Sequence, residues 1–271
     1  MAITPPSALI LDMDGVLYHG DSAIDGAIDF MRSVENRPHL FLTNNPIKIP
    51  EQVADKLEQI GFRRPALEQV LTSAEATAHY LASKKSGFLF FAVGAEGLHQ
   101  ALSETGRPDA EDADFVVVGE GPGLDFDSLT CGINLVLKKG AKLVSTNPDN
   151  NVDATHNGSH SVLPGGGALV APFIVSTGVQ PITIGKPQPL LYEMAMSRLG
   201  VTAEECLMIG DRPDTDIAGA AALGMQTALV RTGRFAPGED WPAALPRPDW
   251  DVSSLGDLVQ AFERSFPGWF S

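Results

Sequence analysis

Short apolar runs that end abruptly in polar residues and glycine recur along the chain, separated by stretches with helical spacing. The first, Leu9-Ile10-Leu11, stops at Asp12-Met13-Asp14-Gly15 and reads as a buried parallel strand whose carboxyl end opens into a turn. Ala27, Phe30, Met31 and Val34 then share one helical face. A strand over 39–42 ends in Thr43-Asn44-Asn45-Pro46, and a helix over 51–60, with Val53, Leu57 and Ile60 in phase, stops at Gly61. A short strand over 69–71 passes through Thr72-Ser73, an N-cap pair, into a helix reaching about residue 82. From about 84 to 178 the rhythm continues as a self-contained block. It has strands over 88–93, 115–118 and 142–145, helices over 96–103 and 128–139, a polar loop over 147–163, and a helix after Pro164-Gly165-Gly166-Gly167. Beyond Pro181 come a helix over 189–199, a strand over 206–209 ending in Gly210-Asp211-Arg212-Pro213-Asp214-Thr215-Asp216, a helix over 217–223, a strand over 227–230 and an amphipathic helix over 254–262.

Strands alternating with helices predict an α/β fold, a doubly wound, mostly parallel sheet with helices on both faces, carrying a smaller inserted α/β domain. The expected division is 1–83 for the first part of the core, 84–179 for the insert and 180–271 for the second part of the core. Ligands of such sheets bind beyond the carboxyl ends of the strands, and the polar tips above lie at such ends.

Composition narrows the partners. The 34 acidic and 19 basic residues leave a formal charge of −15, which argues against nucleic acid or an anionic membrane surface. No basic and apolar leader precedes Ser7, and the apolar stretch 168–175 is too short to span a bilayer, so the expected location is cytoplasmic. Cys131 and Cys206 sit in separate apolar runs without metal-type spacing and are expected as buried, reduced thiols.

Collected at one sheet edge, the tips bring Asp12 and Asp14, Thr43 and Asn44, Lys186, and Asp211 with Asp214 and Asp216. Each has a plain explanation alone: a turn, a cap, a solvated lysine, carboxylates in the first turn of a helix. Together they supply what phosphoryl transfer requires. Carboxylates from two tips form a hard oxygen site suited to Mg²⁺, Thr43 and nearby backbone N–H groups can hold phosphate oxygens, and Lys186 can neutralise developing charge. No Walker-type loop is present, and no Ser or Cys has a supporting His and acid, which leaves a carboxylate as candidate nucleophile.

Asp12-Met13-Asp14-Gly15-Val16-Leu17, Thr43-Asn44-Asn45, Gly185-Lys186-Pro187 and Gly210-Asp211-Arg212-Pro213-Asp214-Thr215-Asp216, in this order, resemble the four motifs of the haloacid dehalogenase superfamily. The insert, with Ser145-Thr146-Asn147-Pro148-Asp149 and Pro164-Gly165-Gly166-Gly167-Ala168-Leu169, resembles the C2-type cap of its NagD and p-nitrophenyl phosphatase subfamily. The resemblance implies a Mg²⁺-dependent phosphatase of small phosphorylated metabolites. In it Asp12 is the nucleophile that becomes an aspartyl phosphate, and Asp14 is the acid and then the base, a role that needs a raised pKa. It places Mg²⁺ on the Asp12 carboxylate, the Asp14 carbonyl and the Asp211 carboxylate, with Asp216 just outside that set. Thr43, Asn44 and Lys186 fall to the phosphate. The cap loop following Asp149, with Val152, His156 and His160, faces the entering substrate, and caps of the subfamily sometimes form homodimers. The non-hydrolytic alternative is a phosphate-ligand binding protein or a phosphoacceptor regulator on the same fold. Phosphoacceptor domains are shorter and pair their acids differently.

Overall fold

The structure, a computed structural model, describes residues 4–156 and 159–270, with the side chains of 155–160 outside the description. The chain forms two compact units. One comprises the chain through Leu42, Val53–Leu71 and the chain from Tyr192; the other comprises Thr43–Gln52 and Thr72–Leu191.

The first unit is built on a six-stranded parallel sheet flanked by helices, in the order Trp250–Val252, Gln226–Val230, Cys206–Gly210, Ala8–Leu11, His39–Thr43, Val70–Thr72. Ala8–Leu11 is buried at all four positions because both sheet faces are covered, which is why it reads as a continuous apolar run without alternation. It lies in register between Cys206–Gly210 and His39–Thr43, with Leu11 opposite both Ile209 and Phe41. Strand order reverses here: later strands of the first half lie on one side of Ala8–Leu11 and those of the second half on the other. Such a switch point leaves a crevice at the carboxyl ends. The core joins strand residues Leu9, Leu11, Leu207 and Ile209 to an aromatic cluster of Phe30, Trp250, Phe262 and Trp269. Phe262 comes from the helix Leu255–Ser265, whose amino end is capped where the Ser254 hydroxyl accepts the Asp257 N–H.

The second unit carries a five-stranded parallel sheet in the order Ile182–Thr183, Lys142–Ser145, Phe115–Val118, Leu89–Val93, Arg107–Pro108. Val116, Val118 and Leu143 pack against Val170 and Phe173 of the helix Gly166–Thr177. Ile182–Thr183, expected where the outer domain resumes, is hydrogen-bonded in parallel to Val144 and Ser145 of this sheet.

The expected polar loop over 147–163 is a correction. Asn151–His156 and Ser159–Pro164 form an antiparallel hairpin with Val152 opposite Leu163. The ribbon pairs its backbone along its own ladder, and among its described side chains Val162 and Leu163 are exposed, so no buried apolar alternation marks it and its Asn, Asp, Ser and His content resembled a loop. Cys206 is buried as expected, whereas Cys131 is half-buried with its thiol near the Ala110 carbonyl.

Candidate active site

Asp12 lies one residue beyond the end of Ala8–Leu11, where its N–H still donates to the Ile209 carbonyl at 2.9 Å. The chain then folds sharply, the Met13 carbonyl accepting the Leu17 N–H at 2.8 Å. Gly15 makes this turn possible. Its φ is +81°, and a Cβ there would fall 2.5 Å from Asp211 Oδ2. Asp14 is exposed on the outside of the turn and bridges to Tyr18, whose buried phenol is held protonated by desolvation and by the charges of Asp14 and Asp12.

The neighbouring strand Cys206–Gly210 delivers Asp211, which is buried. Arg212 is extended, and Pro213–Ile217 then forms one wide helical turn that returns Asp216 to the strand tip. The Asp216 carboxylate accepts the Arg212 N–H at 3.1 Å, and a Cβ on Gly210 would sit 2.3 Å from the Asp216 Cβ, so only glycine allows this approach. Beneath the turn the buried Tyr192 hydroxyl donates to the Thr215 carbonyl at 2.7 Å. Burial, then the charges of Asp216, Asp12 and Asp214, raise its pKa and keep it a donor. Asp214 points elsewhere, into a two-pronged pair with the Arg212 guanidinium at 2.8 and 3.2 Å. Burial opposes its ionisation, and Arg212 with two backbone N–H groups outweighs that, holding its pKa low.

The carboxylates of Asp12, Asp211 and Asp216 therefore converge, each offering one oxygen within 4.8 Å of the others. Three hard anionic donors forced together, two of them buried, fit a divalent cation that takes oxygen ligands. A third strand tip encloses them. The Arg234 N–H donates to Asp211 Oδ2 at 2.7 Å, and the Thr232 hydroxyl donates to the Gly15 carbonyl at 2.7 Å.

The second unit holds Thr43, Asn44, Lys186 and Asp149. Thr43 Oγ1 accepts the Asn45 N–H at 3.1 Å, which leaves its O–H proton for an acceptor. Lys186 is buried immediately after Gly185, whose N–H extends the edge ladder to the Thr146 carbonyl at 2.8 Å. Asn44 Oδ1 accepts the Lys186 N–H at 2.7 Å, while its Nδ2 donates to the Lys186 carbonyl at 3.0 Å and to Asp149 Oδ2 at 2.9 Å.

A haloacid dehalogenase-like hydrolase model matches residues 9–107, and a HAD-hydrolase-like model matches residues 183–258. A 5'-nucleotidase, YutF of Bacillus subtilis, is 42% identical over 254 residues, covering 92% of this chain and 96% of that protein. The chain belongs to the haloacid dehalogenase-like hydrolases. An acid sugar phosphatase of Staphylococcus aureus is 39% identical over 262 residues, covering 95% and 98% of the two chains. The solved p-nitrophenyl phosphatase of Archaeoglobus fulgidus superposes with a TM-score of 0.86 at 26% identity over 95% of this chain and all of that one. Within the family the chain is a phosphatase, a phosphoric monoester hydrolase.

For a haloacid dehalogenase-like hydrolase the acids sit where the strand order demands. Asp12, Asp211 and Asp216 come together, and the Asp14 carboxylate is not part of that triplet. Val152 lies in the hairpin and Asp149 is buried at its root, whereas the side chains of His156 and His160 lie outside the described residues. Sequence reasoning missed Thr232, Gly233, Arg234 and Tyr192. The signal for the first three was present: Arg231-Thr232-Gly233-Arg234 directly follows the apolar strand Gln226–Val230, one more polar tip on the same sheet. Among the described residues no helix is long and apolar enough to cross a membrane.

Proposed function

We propose that the chain hydrolyses small phosphomonoesters with Mg²⁺ through an aspartyl phosphate on Asp12. The convergence of Asp12, Asp211 and Asp216 at the switch point carries this reading. An Asp12 carboxylate oxygen attacks phosphorus, and the bond from phosphorus to the leaving oxygen breaks. Asp14, exposed on the turn one residue beyond Met13, gives that oxygen its proton. Asp14 then takes a proton from water, the water oxygen attacks phosphorus, and the bond to Asp12 breaks to release phosphate. Asp12, Asp211 and the Asp14 carbonyl, with Asp216 beside them, would hold Mg²⁺, which would offset the carboxylate charge and polarise the phosphate oxygens. The family's order of motifs assigns Thr43, through its available O–H, and Lys186, through its charge, to the same phosphate. It likewise assigns residues 84–179 to the cap and the hairpin bearing Val152, His156 and His160 to the substrate's leaving group. The chain works in the cytoplasm on small metabolites. The two curated relatives, named for a nucleotidase and a sugar phosphatase, bracket the substrate class as nucleoside or sugar monophosphates.

The test is phosphate release from a panel of nucleoside monophosphates, sugar phosphates and p-nitrophenyl phosphate, with Mg²⁺ or with chelator, for the wild type and Asp12→Asn. The reading expects release that needs Mg²⁺ and is lost in Asp12→Asn. Release that survives chelation or the substitution overturns it.

A further inference from the structure

Lys186 leaves the edge of the second sheet at a point where the ladder has run out of strand partners. Its neighbours Ile184 and Gly185 still donate to the Ser145 and Thr146 carbonyls, at 3.1 and 2.8 Å. For Lys186 itself the partner is a side chain. Asn44 Oδ1 accepts its N–H at 2.7 Å and Asn44 Nδ2 donates to its carbonyl at 3.0 Å, so one amide brackets the residue from both sides as a strand would. The remaining Nδ2 hydrogen goes to Asp149 Oδ2 at 2.9 Å. Both amide hydrogens are thus engaged, and the Asn44 side chain cannot donate to a phosphate without releasing one of these partners.

Asn44 is itself held. Its carbonyl accepts from the Ser73 hydroxyl at 2.5 Å and from Asn147 Nδ2 at 2.8 Å, and Asn147 Nδ2 also reaches Glu120 Oε1 at 2.9 Å. Asn147 Oδ1 accepts the Asp149 N–H at 3.0 Å. Asn147, Glu120 and Ser73 are buried, so these bonds form where water does not compete for them. Space agrees with the hydrogen bonds. A Cβ on Gly185 would come within 2.6 Å of Asn44 Oδ1, so glycine there lets the amide close on the lysine backbone.

We propose that Asn44 is a positioning residue for Lys186. It fixes the backbone from which the lysine side chain departs, and through Asp149 it ties that backbone to the root of the hairpin. The inference rests on the reading above that Lys186 serves the phosphate. A lysine whose backbone shifts by about 1 Å places its charge wrongly, and misplacement on that scale costs on the order of 100-fold in rate.

The experiment is a double-mutant cycle on kcat with p-nitrophenyl phosphate, at enzyme concentrations high enough to read slow variants. It uses Asn44→Ala, Lys186→Met and the pair together. If Asn44 acts through Lys186, Asn44→Ala lowers kcat by roughly 10- to 100-fold in the wild type and by less than about 3-fold in the Lys186→Met background. A merely structural asparagine would cost the same factor in both, and that result overturns the proposal while leaving the lysine's role intact. Should Asn44→Ala fail to fold, Asn44→Ser replaces it. The serine keeps a polar side chain at the site but is too short to bracket the Lys186 backbone from both sides. It is expected to show the same coupling to Lys186→Met. A Lys186→Met enzyme as fast as the wild type would refute the lysine's role, and the positioning proposal with it.

Discussion

Gly233→Ala tests how the acidic site is built. A Cβ at Gly233 would lie 2.0 Å from Asp211 Oδ2, 2.5 Å from its Cγ and 2.7 Å from its Cβ, so the carboxylate must turn away. Turning breaks the charge-assisted bond from the Arg234 N–H at 2.7 Å, worth about 1.5–3 kcal/mol, and forces Asp211 toward a poorer rotamer at about 0.5–1.5 kcal/mol. Together that is roughly 2–4.5 kcal/mol at a buried group. If half reaches the cation, affinity falls about 5- to 40-fold, since about 1.4 kcal/mol is tenfold. The assay is initial rate against Mg²⁺ concentration. Half-saturation is expected to move up by that factor, with much of kcat returning at high Mg²⁺. Gly256→Ala is the control, because its added Cβ meets only Ser254 Oγ at 3.6 Å and sits in a helix that favours alanine. An unchanged Mg²⁺ dependence in Gly233→Ala would falsify the claim that Asp211 is held in place for a metal by this tip.

Tyr192→Phe removes the hydroxyl that donates to the Thr215 carbonyl, which keeps the Ala218 N–H as its remaining donor. Denaturant unfolding is expected to show a loss of about 0.5–1.5 kcal/mol, and no loss would mean the turn bearing Asp216 does not depend on it. Asp114, in the second unit, accepts the Leu89 N–H at 2.9 Å and Lys85 Nζ at 2.7 Å. Burial pushes its pKa up, but these partners outweigh it and the folded pKa is lowered. A depressed carboxylate stabilises the fold above its unfolded pKa and loses that contribution as pH falls through the folded value. Asp114→Asn is therefore expected to cost about 1 kcal/mol at neutral pH and progressively less in acid, and a difference independent of pH would count against the assignment.

The acid site was legible because buried parallel strands leave a plain mark, a short apolar run stopped by polar residues, as at Leu11-Asp12 and Ile209-Gly210-Asp211. What is not written there is pairing. Ile182–Thr183 reads as a strand in any context, and only the ladder to Val144 and Ser145 says which sheet it joins. The strand Trp250–Val252 has three residues after a Pro-rich stretch, too few for a periodicity to emerge. The role of the Asn44 side chain depends on Lys186 and Asp149, more than 100 positions away, and no local pattern carries a contact of that range. Gly233 looks like an ordinary turn glycine, and its importance is the absence of a Cβ beside Asp211.

The central claim is a covalent phosphoryl group on Asp12, and the direct measurement is to trap it. Asp14→Asn, unable to activate water, is mixed with p-nitrophenyl phosphate and Mg²⁺, a substrate whose good leaving group needs little acid assistance. The protein is then quenched, digested and weighed by mass spectrometry. The account predicts that the peptide containing Asp12 gains one phosphoryl group, and that the gain disappears in Asp12→Asn. Nitrophenol release with no phosphorylated peptide, or a phosphoryl group on any other residue, would contradict it.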